Sequence, residues 1–108
     1  MAHDVYPDEV MNQICVYGER VRIARMRRRW SQAELAERMG VERRTVSRLE
    51  RGSPGVGIGA LLAALWVLDM WKTTRNVADP AADAVGTFLE KQRTPKQARR
   101  RKEKNLDF

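Results

Sequence analysis

Much of what carries chemistry in other proteins is scarce in this 108-residue chain. There is one cysteine, Cys15, so no disulfide can close within the chain. A lone cysteine of this kind is expected to be a buried small hydrophobe in a reducing compartment, not a nucleophile. There is also one histidine, His3, which lies in the first few residues. Zinc-ligand spacing, a glycine-rich phosphate loop and a nucleophile–base pair are all missing, which argues against an enzyme and against a bound metal or other cofactor. The longest apolar run, 57–68, is too short to cross a bilayer and is followed by Asp69. No basic amphipathic stretch is free of core duties, so a membrane-surface role is not expected. The acidic, proline-containing start is unlike a secretion signal, and the reading is a cytoplasmic protein. Aromatic residues make up only 6% and fall at core spacing, which disfavours a stacking platform for RNA.

Acid is in short supply too. Twenty-one Lys and Arg face 14 Asp and Glu, a net charge of +7, so a polyanion is the first partner to consider. The length suits one small core with tails. Residues 1–7 read as an arm. From about Asp8 to Arg29, apolar residues recur at Ile14, Tyr17, Val21 and Ala24, a helical stripe ending in a dense arginine run. Arg25 lies on its edge, where an arginine is ordinarily a solvated charge.

The stretch 31–52 organises the rest. Ser31 precedes Glu34 by three residues, the spacing of a capping box. Leu35 and Met39, with Ala36, make an apolar stripe, and Gly40 can end the helix at φ > 0. Val46 and Leu49 then mark the inner side of a second short helix. Arg43, Arg44, Thr45, Ser47 and Arg48 face outward, and Gly52 closes the segment. Two short helices with a glycine turn and a basic outer face describe a helix-turn-helix.

Trp30 precedes the capping serine as core, and Ser53-Pro54-Gly55 is a turn. A fourth helix is expected to bury Ile58, Leu61, Leu62, Leu65 and Leu68, with Gly57 and Gly59 in its first turn. Asp79-Pro80 has the form of an N-cap and first residue of a helix reaching about Gln92, with Val85, Phe88 and Leu89 on one side. Either these and the aromatics Trp66 and Trp71 complete the core, or they form a two-fold interface, and both can hold at once. The domain reading is an arm at 1–7, a DNA-binding domain at 8–70, a helical extension and dimer interface at 71–93, and a basic tail at 94–108. The tail fits a disordered solvating segment. Its run from Lys96 to Lys104 also suits phosphate contacts, and Leu106 and Phe108 suit an anchor on a partner.

The 31–52 stretch resembles the core of the lambda/434-repressor, or Xre, family. Ser31-Gln32, Leu35-Ala36, Gly40 and Val46-Ser47-Arg48-Leu49-Glu50-Arg51-Gly52 match its signature, and with the flanking helices the likeness covers about 18–68. The resemblance implies an all-α, five-helix domain that binds a palindromic operator in double-stranded DNA as a homodimer. Its reading helices would sit about 34 Å apart to enter successive major grooves. It implies base-edge contacts from Arg43, Arg44 and Arg48 with Thr45 and Ser47 nearby, and a base or backbone contact from Gln32. It also implies an ion pair between Arg25 and Glu50 that docks the first helix on the third. Relatives usually carry serine or threonine where this chain has Glu42, which would repel phosphate, so no phosphate contact is assigned there. The segment from Leu61 through the Asp-Pro helix, the basic run and the terminal Leu-Asp-Phe is similar to HipB-like antitoxins. That narrower likeness implies a HipA-like serine/threonine kinase toxin as a second partner. A stand-alone regulator shares every DNA-reading residue and is the alternative.

Overall fold

The computed structural model describes residues 6–93. Five α-helices and no strand occur among them. They are α1 (Asp8–Arg27), α2 (Gln32–Met39), α3 (Arg43–Glu50), α4 (Ile58–Val67) and α5 (Ala84–Lys91), with short 3₁₀ helices at Trp71–Thr74 and Pro80–Ala82. The chain divides between Thr74 and Arg75 into two compact units.

The first unit holds the core. Val21 and Ala24 from α1, Leu35 and Ala36 from α2, Val46 and Leu49 from α3, and Ala64 and Leu68 from the α4 region close on one another. Trp30, Met39, Val41, Val56, Leu61, Val67 and Met70 pack around them. Gly18 is the reason α1 and α3 can lie so close. It is buried on α1, and a Cβ there would run into the Leu49 carbonyl oxygen and come within 2.9 Å of that of Glu50.

Local chemistry sets the helix ends. Ser31 Oγ accepts from the Glu34 backbone N–H while the Glu34 carboxylate accepts from the Ser31 N–H, a complete capping box at the start of α2. At the far end Gly40 has φ 75°, its N–H donates to the Glu37 carbonyl, and the Val41 N–H donates to that of Ala36. This is the Schellman arrangement, and it turns the chain sharply toward α3. Gly52 (φ 76°) ends α3 in the same way. Two other helices make the same turn without glycine. Arg29 (φ 56°) ends α1, with Trp30 N–H donating to Arg25, and Asp69 (φ 59°) ends α4, with Met70 N–H donating to Leu65.

Several expectations are corrected here. Ile58 is 72% exposed, and Leu61, Leu62 and Leu65 are only half-buried. Because α4 is apolar on every side, its composition does not reveal which side turns inward, and the shielded pair is Ala64 and Leu68, one turn apart. Tyr17 is 40% exposed, at the rim of the α1 stripe. Cys15 is exposed rather than buried. Its neighbour across the fold is Gly52, which has no side chain to cover it; a Cβ there would lie 2.7 Å from the sulfur.

In the second unit, Asp79 caps not a long helix but the 3₁₀ turn Pro80–Ala82, through the Ala81 N–H. The α5 helix has its own cap, Asp83, which accepts from the Gly86 N–H. Val85, Phe88 and Leu89 are 69%, 60% and 55% exposed, and none of the α5 residues is buried. In the first unit, Trp66 and Trp71 are 67% and 40% exposed and pack edge to face, with 5.6 Å between ring centroids.

Candidate nucleic-acid interface

Eight residues form α3, a rod about 12 Å long whose diameter with side chains, about 10–12 Å, suits the roughly 12 Å width of a DNA major groove. Burial divides its residues. Val46, Leu49 and Glu50 are buried, whereas Arg43, Arg44 and Arg48 are exposed, with Thr45 and Ser47 half-buried between. Arg44 and Arg48 project from the side of the rod that the core leaves free, while Arg43 stands exposed at its first residue, on the same side as Val46 and Glu50. Glu42 occupies the N-cap position but makes no capping hydrogen bond with its side chain. Only its carbonyl takes part, accepting from the Thr45 N–H at 2.9 Å.

The rod is held from beneath by Arg25 and Glu50. The Arg25 Nε donates to Glu50 Oε2 at 2.7 Å and its Nη2 to Oε1 at 3.0 Å, a two-pronged pair. The third prong, Nη1, donates to the Trp30 carbonyl at 2.7 Å. The Arg25 side chain is 12% exposed and that of Glu50 3%, so each charge depends on the other for solvation. Hydrogen bonding to the Glu50 carboxylate, helped by its charge and opposed by burial, raises the Arg25 pKa above the ordinary arginine value.

The pair does not end with two residues. Gln32 Nε2 donates to Glu50 Oε1 at 3.1 Å, and Arg43 Nη1 donates to Gln32 Oε1 at 3.2 Å. A continuous chain of hydrogen bonds thus runs from α1, through the buried end of α3 and the first residue of α2, to the exposed start of α3. Gln32 is half-buried and its amide is engaged at both ends.

Two supporting contacts were not legible beforehand. Arg28 donates to the Ala24 carbonyl at 2.7 Å and to the Leu68 carbonyl at 2.6 Å, tying the ends of α1 and α4 together. Within a run of arginines nothing marks this one. The Arg38 guanidinium stands 4.1 Å from the centre of the Trp30 ring, a cation–π contact over the side of α2. Leu106, Phe108 and the basic run from Lys96 to Lys104 lie outside the described residues. Among the described residues, no helix is long and apolar enough to cross a membrane, and no cluster of His, Cys, Asp and Glu is placed to hold a metal.

A short capped helix, a glycine turn and a basic rod seated on a common core define a helix-turn-helix DNA-binding fold. A family model described as a helix-turn-helix domain matches residues 16–77, more than half of the chain, and the chain belongs to that family. Neither the curated proteins nor the solved structures gave a match.

Proposed function

We propose that the protein is a sequence-specific transcriptional repressor that occupies a palindromic operator as a homodimer in the cytoplasm. The observation that carries this reading is the exposure of Arg43, Arg44 and Arg48 on a short helix whose Val46, Leu49 and Glu50 are buried. Arginine forks onto guanine O6 and N7 with about 1–3 kcal/mol of discrimination per good pair. Guanine-containing half-sites are therefore expected, with Thr45 and Ser47 in reach of neighbouring base edges or phosphates. Gln32 enters the interface from the start of α2.

The test is selection of binding sites from random duplexes, followed by titration of variants. Arg43→Ala or Arg48→Ala relaxes the preference at one base pair per half-site. Neutralising Arg99, Arg100 and Arg101 weakens every sequence alike and flattens the salt dependence. If the tail variant changed sequence preference and the helix variants did not, these roles would be reversed.

A second reading adds a protein partner. The exposed apolar side of α5, with Val85, Phe88 and Leu89, favours something that covers it. A second copy of the chain does so in the first reading. In the second, the regulator is also the antitoxin of a HipA-like kinase, held partly through Leu106 and Phe108. Pull-down with that kinase separates the two. Capture by the full chain, lost on deletion of residues 94–108, supports the antitoxin; a stand-alone regulator retains no kinase in either form.

A further inference from the structure

From the chain of hydrogen bonds joining Arg25, Glu50, Gln32 and Arg43, we infer that buried Glu50 sets the base preference of Arg43 by fixing which end of the Gln32 amide faces α3. This rests on the reading of α3 as the DNA-reading helix. A carboxylate only accepts hydrogen bonds, so the Gln32 group turned toward Glu50 Oε1 must be its NH₂, as the 3.1 Å contact shows. An amide has one oxygen and one nitrogen. With the nitrogen committed inward, the oxygen points outward, and only a donor at the start of α3 can meet it. Arg43 Nη1 does so at 3.2 Å. The same Glu50 oxygen also accepts from Arg25 Nη2 at 3.0 Å, so α1 holds the carboxylate in the orientation that orders Gln32.

The consequence is a division of labour. Gln32 is a positioning residue for Arg43 rather than an independent reader of bases. Glu50, nearly sealed from solvent, acts one step further back. With one guanidinium prong held on Gln32, Arg43 loses part of its torsional freedom before DNA arrives, and its remaining donors are aimed at one base pair. Arg44 and Arg48 make no hydrogen bond to Gln32 and fall outside this control.

Two variants break the relay at different points. Gln32→Met keeps the length and volume of the side chain while removing both polar ends. Glu50→Gln puts an NH₂ in the place of one of two oxygens that both accept from Arg25, so the acceptor that orders the Gln32 amide is no longer held in one orientation. Discrimination is measured on the selected operator and on duplexes changed at each base pair in turn, alongside thermal unfolding. We expect each variant to lose discrimination at the base pair that Arg43→Ala relaxes, roughly tenfold for a bidentate guanine contact. Positions assigned to Arg44 and Arg48 keep theirs. Adding Gln32→Met to Arg43→Ala should change that discrimination less than about twofold, because the two act in series. Full additivity, relaxation at a different base pair, or unchanged discrimination in Gln32→Met overturns the relay. If Glu50→Gln fails to fold, Gln32→Met decides alone. Failure of the underlying reading looks different: Arg43→Ala, Arg44→Ala and Arg48→Ala would then relax no position at all.

Discussion

Gly18 and Gly40 show how differently one residue type serves this chain. Gly40 is needed for its φ of 75°, and nothing lies within 4 Å of where a Cβ would be. Gly40→Ala therefore costs only the left-handed conformation, about 1–2 kcal/mol. Gly18 has ordinary helical torsions but rests on two carbonyl groups of α3, so Gly18→Ala must part the helices. Thermal unfolding should show the larger loss at Gly18, of at least about 2–3 kcal/mol. Equal losses would mean that the contact between α1 and α3 yields easily. Arg25 and Glu50 make a second case. Removing either leaves the other charged and enclosed, so Arg25→Ala and Glu50→Ala each should cost about 3–5 kcal/mol. An unchanged melting midpoint in both would count against the docking role. The pair brings little alkaline sensitivity. A raised folded-state pKa gives stability that is fully present below the unfolded value and lost only as pH rises through the folded one. For an arginine that window lies above the ordinary range, so between about pH 7 and 10 its contribution should be flat in a denaturation series.

At the scale of elements, legibility follows how local the cause is. The capping box of α2 and the glycine that ends it depend on residues three or four apart, and both were readable from Ser31, Glu34 and Gly40. The core side of α3 was readable because Val46 and Leu49 stand among polar neighbours, whereas the buried Glu50 and the exposed Arg43 share that side and owe their difference to opposite ends of the helix. In α4 the same reasoning misplaced Ile58, since a helix apolar throughout has no contrast to read. Gly18 was passed over because its role depends on carbonyls thirty positions away, although it falls one turn after Ile14 on the stripe. Asp83 was masked by the stronger signal of Asp79-Pro80.

The helix ends also yield two experiments. Arg29 adopts φ 56° where glycine is at ease, so Arg29→Gly should stabilise the domain by about 0.5–1 kcal/mol, seen as a higher denaturation midpoint. Glu42 heads α3 without capping it. In Glu42→Ser a new cap gains about 1 kcal/mol, while loss of the charge–dipole attraction costs about 0.3–1 kcal/mol. Stability should hardly move, whereas DNA affinity should rise as a repulsive charge leaves the groove. A fall in affinity would mean that Glu42 makes a favourable contact with a base.

For the whole molecule, the net charge of +7 and the proposed two-fold pairing make separable contributions to binding. The charge acts on any duplex and fades with salt; the pairing acts only where two half-sites are correctly spaced. Phe88→Asp combined with Leu89→Asp places charge on the exposed apolar side of α5. Sedimentation should then show a monomer whose affinity for a single half-site is kept and whose preference for the paired site is gone. A persisting dimer would move the interface to another surface, with the Trp66 and Trp71 edge the first alternative.

The bare patch of α1 at Gly18 has a consequence for how this regulator can change over time. Since peptide oxygens abut it with no side chain in between, the closest approach of the rod to α1 is set by main-chain contact. Outward-facing residues of the rod can be exchanged without touching that contact, so a change in preferred bases would leave the mount itself intact.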